Sequence, residues 1–284
     1  MLYVCTVIIY HHINNQIFII MKNLFLSTLA LLSVTFSNGQ ETAKNAKAAT
    51  GKTTPVKNIV IVHGAFADGS GWRGVHDILV AKGYNVTIVQ NPLTSLEDDV
   101  AAVNRVLLNQ NGPVILVGHS WGGAVITQAG TDAKVAGLVY VAAYQPQAGE
   151  STLDLAKTEI PAEEKGILPP DANGFLFYSK EKFHAGFAGG VSKAESDFLY
   201  DSQAPISIKA FITPLTQTAW KNKPSWAIIA TQDKSITPAI QYTMAKRAGS
   251  VVTEVKSSHI VYITHPQEVA NAIIAASVGA TPVK

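Results

Sequence analysis

Short apolar runs rich in β-branched residues alternate with longer stretches of helical periodicity along most of this 284-residue chain. The runs are continuously apolar, which is typical of strands in a parallel sheet that helices cover on both faces. The predicted strands are Ile59 to Val62, Asn85 to Val89, Val114 to Val117, Val135 to Ala142, Trp226 to Ala230 and Val251 to Val255. This order predicts an α/β fold with one doubly wound, mostly parallel sheet, whose ligands bind at the carboxyl ends of the strands.

Between these runs, the sequence contains residues that are typical of the first turn of a helix. Ser95 is a predicted N-cap, and acidic residues fill the first turn of the helix that follows it. These acidic residues are Glu97, Asp98 and Asp99. Proline at the first helical position predicts two more starts, at Thr237-Pro238 and at His265-Pro266.

One segment, residues 145–222, lacks a clear buried strand and is predicted to be an inserted helical cap. It is rich in aromatic residues between positions 171 and 200, and these residues have two interpretations. They line an apolar substrate pocket, or they form the core of the cap itself. The aromatic residues are Phe175, Phe177, Tyr178, Phe183, Phe187, Phe198 and Tyr200.

A Gly-x-Ser-x-Gly pattern, Gly118 to Gly122, follows directly on the apolar run that ends at Val117. A strand that turns sharply into a helix leaves such a serine exposed at the edge of the sheet, and small neighbours allow the strained bend. The pattern alone also fits an ordinary glycine-rich turn. The strand before it and the helical stretch after it favour a nucleophile elbow with Ser120 as the nucleophile.

Serine is a weak nucleophile, so this interpretation requires a base and an anion that orients the base. Asp233 follows the strand that ends at Ala230, and His259 follows the strand that ends at Val255. Each residue has an ordinary alternative, since Asp233 could be a turn residue and His259 a surface histidine. Both are predicted at strand ends beside Ser120, and the order Ser, Asp, His is the one expected of this architecture. His265 is a weaker candidate for the base.

The negative charge that develops on a substrate oxygen during attack by serine requires hydrogen-bond donors, and backbone N–H groups serve best. The loop after the first strand contains Gly64, which permits close approach, and Ala65, whose N–H is the first predicted donor. The second is the N–H of Trp121, at the start of the helix after the nucleophile.

The N-terminus resembles a secretory signal peptide: Lys22 precedes an apolar run from Leu24 to Phe36, and small residues end at Gly39. We predict a signal peptide over residues 1–39 with the true start at Met21, a flexible leader over residues 40–57, and the catalytic domain over residues 58–284. The expected location is periplasmic or secreted, without a stable membrane anchor. The alternative is an N-terminal helix that anchors the protein in a membrane.

Composition excludes several classes of site. The single cysteine, Cys5, lies in the predicted signal region, so the mature chain is expected to have no disulfide, thiol nucleophile or cysteine metal site. The net charge of +2 gives no electrostatic argument for nucleic acid binding. No metal or organic cofactor is implied.

These motifs together resemble the α/β-hydrolases, in particular the subgroup of plant methyl-salicylate-type esterases, hydroxynitrile lyases and bacterial carboxylesterases. The resemblance runs from about Asn58 to Ala276. It rests on His63-Gly64-Ala65 with Gly71-Trp72, the Gly118 to Gly123 turn, Val139 to Ala143, Asp233 and Ser258-His259. It implies the α/β-hydrolase fold, with Ser120 as nucleophile, Asp233 as acid, His259 as base, and Ala65 and Trp121 as oxyanion donors.

Departures within that superfamily indicate the reaction. Epoxide hydrolases and haloalkane dehalogenases have aspartate where this chain has Ser120. Hydroxynitrile lyases have threonine at the position of Gly64 and lysine at the position of Ile260. The sequence therefore predicts a serine esterase that forms an acyl-enzyme on small, largely apolar esters, and a peroxidase side activity stays open. The alternatives are a small-molecule receptor, a lyase or an acyltransferase on the same fold, and the sequence does not predict the oligomeric state.

Overall fold

The computed structural model describes residues 54–280. Its centre is a six-stranded sheet with the strand order β2-β1-β3-β4-β7-β8, and every pair of neighbouring strands is parallel. These strands are β1 (Asn58–Val62), β2 (Asn85–Val89), β3 (Val114–His119), β4 (Val135–Val141), β7 (Ser225–Ala230) and β8 (Val251–Val255). They confirm the predicted strands to within two residues at each end. The predicted signal peptide and all but the end of the predicted leader lie outside the described residues.

The buried core lies on both sides of β1, β3 and β4, where nearly every side chain is inaccessible to solvent. Helices α1 (Arg73–Ala81) and α10 (Pro266–Gly279) pack against each other, as do α2 (Leu96–Leu108) and α3 (Gly122–Ala129). Helices α8 (Pro238–Ala248) and α9 (Val261–Thr264) complete the sheet domain. Alternation of strands and helices therefore produces the predicted doubly wound α/β fold, with its sheet parallel throughout.

Two predicted helix starts agree with the structure in detail. The Ser95 hydroxyl accepts a hydrogen bond from the Asp98 N–H, as an N-cap does. Pro238 is the first residue of α8, where its missing N–H costs nothing because that position has no intrahelical acceptor. His265 precedes α10 but makes no side-chain capping bond, so its proline alone marks that start.

One strand differs from its prediction in burial. The apolar composition of β8 predicts a buried strand, but four of its five residues are exposed, including Val251 at 59%. The reason is topological: among the strands of residues 54–280, β8 forms one edge of the sheet and pairs with β7 alone. Apolar β-branched residues favour strand geometry whether or not a layer covers them.

The segment between β4 and β7 holds short helices and one small antiparallel pair of strands. The pair, β5 and β6, is only two residues long on each side, which is too short for a sequence pattern to reveal. The elements are α4 (Thr152–Ala156), β5 (Phe175–Leu176), α5 (Lys180–Gly186), α6 (Lys193–Asp201), β6 (Ile206–Ser207) and α7 (Ile208–Ile212). Within residues 54–280, no helix has the length and apolar character needed to cross a membrane.

Candidate active site

Ser120 lies in the sharp turn between β3 and α3, with a positive φ of 52°. A positive φ is rare for any residue with a side chain and costs on the order of 1–3 kcal/mol. The turn is tight because the chain passes another strand closely: a Cβ atom on Gly122 would lie 2.5 Å from the Val62 carbonyl oxygen. Only glycine fits there, and the strained bend holds the serine hydroxyl at the carboxyl edge of the sheet.

Asp233 and His259 reach the same edge from the loops after β7 and β8. The His259 Nε2 atom lies 2.9 Å from the Ser120 Oγ, and its Nδ1 lies 2.7 Å from the Asp233 Oδ2. A carboxylate can only accept, so Nδ1 donates to Asp233 and Nε2 accepts from the serine hydroxyl. The structure therefore brings the three predicted side chains into one continuous hydrogen-bonded chain.

The Asp233 carboxylate is fixed by its own loop and by a residue that the sequence did not single out. Its Oδ1 accepts from the N–H groups of Ser235 and Ile236, at 2.8 and 3.0 Å. Its Oδ2 accepts from the Gln241 side-chain amide at 2.9 Å, in addition to His259. Together the four donors hold the carboxylate in one orientation.

His119, in the turn next to Ser120, holds the backbone of His259. Its Nε2 donates to the His259 carbonyl oxygen at 3.0 Å, and the two rings lie 4.6 Å apart. Burial lowers the pKa of His119 well below its ordinary value, with the neighbouring His259 adding to the effect. His119 therefore stays neutral beside the imidazole that would become charged during a reaction.

The loop after β1 approaches Ser120 so closely that a Cβ on Gly64 would lie 2.7 Å from the serine Cβ. His63 fixes this loop: its Nδ1 donates to the Gly64 carbonyl oxygen at 2.9 Å, and its Nε2 accepts from the Asn91 N–H at 2.9 Å. Burial lowers the pKa of His63, which keeps Nε2 available as an acceptor. Within residues 54–280, the N–H groups of Ala65 and Trp121 have no hydrogen-bond acceptor. Both amides thus remain free for an oxyanion.

The side chain of Trp121 points away from the serine and is anchored by Asp99. The indole N–H donates to the Asp99 Oδ2 at 2.7 Å, and the Leu93 N–H donates to its Oδ1 at 2.8 Å. Asp99 is completely buried, and burial raises its pKa to about 6. The sequence placed Asp99 only as a first-turn acidic residue, and no pattern distinguished it from its exposed neighbours.

A small pocket of about 290 Å³ opens beside Ser120 and His259. Its walls are mostly apolar, with Phe66, Tyr178 and Phe187 close to the serine. Two of the aromatic residues predicted in the cap therefore line the pocket. A third, Phe183, packs against them in the core, with ring centroids at 5.6 Å from Tyr178 and 4.9 Å from Phe187. Both interpretations of the cap aromatics apply, each to a different residue.

The other histidines that the structure describes lie elsewhere. His76 is in α1 and pairs with Asp77, His184 is in α5, and the His265 Nδ1 bonds the Thr264 hydroxyl at 2.9 Å. None of them contacts Ser120. Among the described residues, no group of three or more histidine, cysteine, aspartate or glutamate side chains could hold a metal ion.

Comparison with known proteins agrees with this architecture. A sequence model of the alpha/beta hydrolase family matches residues 59–272. This chain belongs to the alpha/beta hydrolase family. The match begins in β1 and ends in α10, so it includes the turn at Ser120 and the loops of Asp233 and His259.

Among curated relatives, a pyrethroid hydrolase from Sphingobium wenxiniae is 30% identical over 251 residues, which cover 77% of this chain and 86% of that protein. A carbendazim hydrolyzing esterase from a Nocardioides species is 28% identical over 187 residues, 58% of this chain and 66% of the other. Among solved structures, a pyrethroid hydrolase superposes with a TM-score of 0.66 at 27% identity, covering 78% and 96% of the two chains. An extracellular α/β-hydrolase from a Paenibacillus species superposes at 0.65 and 19% identity, covering 77% and 98%, which is a likeness of fold alone.

Proposed function

We propose that this α/β-hydrolase is a serine carboxylesterase. The observation that carries the proposal is the continuous hydrogen-bonded chain from the Ser120 hydroxyl through His259 to Asp233. Beside it lie two backbone N–H groups that have no acceptor among residues 54–280. This geometry supports Ser120 as the nucleophile, His259 as the base, Asp233 as the orienting anion and the two N–H groups as oxyanion donors. The two relatives whose names describe a hydrolase and an esterase support the same class of reaction.

In the proposed acylation step, His259 takes the Ser120 proton as the serine oxygen bonds to the ester carbonyl carbon. The carbonyl oxygen becomes an oxyanion that accepts from the Ala65 and Trp121 N–H groups. Collapse of this intermediate breaks the bond to the alcohol oxygen, which receives the proton from His259 and leaves. In deacylation, His259 takes a proton from a water whose oxygen bonds to the acyl carbonyl carbon. Collapse then breaks the bond to the Ser120 oxygen, which receives the proton from His259, and the carboxylic acid is released.

Asp233 orients the imidazole through these steps and stabilises its charged form. The oxyanion donors are already aimed before substrate binds, since His63 and Asn91 fix the loop of Ala65 and Asp99 fixes the side chain of Trp121. Preorganised donors of this kind are worth on the order of 2.7–4 kcal/mol each in the barrier. The mostly apolar pocket favours small, neutral acyl groups.

The experiment compares wild type with Ser120→Ala on p-nitrophenyl acetate and butyrate. We expect Ser120→Ala to lose activity by a factor of about 10⁴ or more and to lose labelling by a fluorophosphonate probe. Activity that persists in Ser120→Ala would contradict the proposal. A wild type that binds small apolar ligands but hydrolyses no ester would favour the receptor alternative, and a gain of transfer product on adding an alcohol would favour an acyltransferase.

We also propose that the protein is exported, because of the signal-like segment that ends near Gly39. Expression of the full chain in a bacterial host should yield a mature protein in the periplasm or medium. N-terminal sequencing would then give a start near Gln40. An intact N-terminus on a membrane-bound product would contradict export and favour the anchored alternative.

A further inference from the structure

Four side-chain hydroxyl groups line the small pocket that opens beside Ser120, and three of them bond within the protein. The Ser120 hydroxyl bonds the His259 Nε2 at 2.9 Å. The Ser235 hydroxyl donates to the Gly186 carbonyl oxygen at 2.8 Å. The Tyr178 hydroxyl lies 3.4 Å from the Ser235 hydroxyl, whose proton is already used, so Tyr178 donates in that pair. The protons of these three hydroxyls therefore have acceptors.

The fourth hydroxyl, that of Tyr144, has no hydrogen-bond partner among residues 54–280. Tyr144 is only 3% exposed and lines the pocket beside Ser120. In the described chain, the side-chain atoms that are both unpartnered and completely enclosed lie elsewhere, on Trp72, Asn91, His119, Thr152 and His184. The small exposed area of Tyr144 therefore includes its hydroxyl, which faces the pocket. A buried hydroxyl without an acceptor is unfavourable unless a bound group supplies one.

The fold holds this hydroxyl in a fixed position. The Tyr144 N–H donates to the Ser120 carbonyl oxygen at 3.1 Å, which joins the residue to the turn of the nucleophile. The Tyr144 ring belongs to a small buried cluster with Leu155, Ile240 and Met244. Because the ring is already held in place, a substrate that bonds its hydroxyl loses little affinity to the ordering of this side chain.

The charges around the pocket restrict the group that this hydroxyl can bind. Among the described residues that line the pocket, there is no lysine or arginine. Burial raises the pKa of Tyr144 well above its ordinary value, and the carboxylates of Glu159 and Asp233 add to the effect. The phenol therefore keeps its proton and can donate it, whereas an anionic group beside it would meet the same carboxylates. A neutral acceptor, such as an ether or ketone oxygen, meets both conditions.

We propose that the Tyr144 hydroxyl donates a hydrogen bond to a neutral oxygen acceptor that the substrate carries in addition to its ester group. The preferred substrates are then short esters with an ether or ketone oxygen, and purely hydrocarbon esters are poorer. The inference rests on the proposed esterase function, and it assigns Tyr144 as a residue that determines specificity.

The test compares wild type with Tyr144→Phe, which keeps the ring and removes only the hydroxyl. The substrates are three pairs of esters in which an ether oxygen replaces one methylene group. Two pairs differ in the acyl group: p-nitrophenyl methoxyacetate with butyrate, and p-nitrophenyl 3-methoxypropionate with pentanoate. The third pair, 2-methoxyethyl acetate with butyl acetate, differs in the alcohol. Comparing the ether-to-hydrocarbon ratio of kcat/KM between the two enzymes cancels the intrinsic reactivity of the esters.

In at least one pair, we expect Tyr144→Phe to lower kcat/KM for the ether about fivefold and to raise it for the hydrocarbon about twofold. The loss reflects the missing donor, and the gain reflects an apolar group that no longer faces an unpartnered hydroxyl. A variant that only disturbed packing would lower both values together. The pair that responds identifies the half of the ester that occupies the pocket.

The matched control is Tyr140→Phe, on the strand that precedes Tyr144. The Tyr140 hydroxyl lies 2.9 Å from the Thr127 hydroxyl, and Tyr140 does not line the pocket, so all three ratios should match those of wild type. If the ratios of Tyr144→Phe also match wild type in every pair, the hydroxyl binds no substrate acceptor and the inference is wrong.

A wild type that hydrolyses none of the six esters would instead contradict the esterase function. The hydroxyl is then tested by binding alone, with NMR titration of the same pairs into Ser120→Ala with and without Tyr144→Phe. Weaker binding of an ether by the double variant would support the hydrogen bond from Tyr144, and equal affinities for every ester would overturn it.

Discussion

Two buried aspartates lie near the candidate active site in the described part of the chain, Asp233 at 1% exposure and Asp99 at 0%. Asp233 accepts four hydrogen bonds, one of them from His259. Asp99 accepts two, from the Leu93 N–H and the Trp121 indole. Their partners differ: Asp233 contacts His259, the proposed base, whereas Asp99 contacts Trp121, whose N–H is a proposed oxyanion donor.

The difference shows that burial alone does not identify a catalytic acid. Asp233 faces an imidazole that gains a proton in the proposed reaction, so its charge has a partner in the transition state. Asp99 contacts only neutral donors, and burial raises its pKa to about 6. A buried charge on Asp99 lowers the stability of the folded state, and the two hydrogen bonds partly offset this loss. We therefore assign Asp99 to positioning Trp121 and Asp233 to the reaction.

The largest effect is expected from Asp233→Asn. The asparagine NH₂ group can donate to Nδ1 of His259, which fixes the tautomer that carries its proton on Nε2, so Nε2 no longer accepts the serine proton. By analogy with other serine hydrolase triads, kcat should fall by about 10⁴. Steady-state kinetics on p-nitrophenyl acetate, with thermal unfolding to check the fold, measure this. A folded Asp233→Asn that retains a tenth of wild-type kcat would remove Asp233 from the proposed triad.

The corresponding change at the other carboxylate, Asp99→Leu, should act mainly on stability. It leaves the buried N–H groups of Leu93 and Trp121 without acceptors, at a cost of about 2–4 kcal/mol in the free energy of unfolding. We expect kcat to fall by no more than about tenfold, since the backbone of Trp121 keeps its place in the turn. Urea unfolding and kinetics measure the two effects. The control is Asp98→Ala, which removes the neighbouring exposed carboxylate. A 10⁴-fold loss of kcat in a stable Asp99→Leu would reverse the assignment.

A third test uses the pKa of Asp99, raised from 3.8 to about 6 by burial. Between these values the unfolded chain releases the proton while the folded chain keeps it, so this group makes the fold less stable as pH rises from about 4 to about 6. The shift corresponds to about 3 kcal/mol. Asp99→Asn cannot ionise, so wild-type stability should fall relative to Asp99→Asn by about 2–3 kcal/mol between pH 4 and pH 7. Urea unfolding at both pH values measures it. A constant difference would show that Asp99 has no raised pKa in the folded state.

The two aspartates also show which contacts a sequence can predict. Asp233 was predicted to lie near Ser120 because it follows a buried strand, and strand ends in a parallel sheet meet at one edge. The contact of Asp99 joins α2 to the turn after β3, and it depends on how those elements pack. In the sequence, Asp99 is one of three acidic residues at a helix start, and helix electrostatics explains all three.

For the strands and the pocket, too, local sequence patterns predicted some features and missed others. Apolar runs predicted the strands because a buried parallel strand has a continuous apolar sequence, yet they did not reveal that β8 lies at an edge. Phe66 was not predicted to line the pocket, since it follows β1 in the chain and only the fold brings it against Phe187. Contacts between segments that are far apart in the chain leave no local sequence pattern, so only the three-dimensional structure reveals them.

The smallest effect is expected from Gln241→Leu. This change lowers the number of hydrogen bonds that Asp233 accepts from four to three, which is closer to the two that Asp99 accepts. In the wild type, the Gln241 amide nitrogen donates to the Asp233 Oδ2 at 2.9 Å and to the Ile236 carbonyl oxygen at 2.7 Å. A bond to a charged group contributes about 1.5–3 kcal/mol, but the two backbone donors and His259 remain, so kcat should fall only about three- to tenfold. Kinetics on p-nitrophenyl acetate measure this fall. The matched control is Gln128→Leu, whose amide bonds Thr216 away from the carboxylate and should leave kcat unchanged. Equal kinetics for both variants would mean that the backbone donors alone orient Asp233.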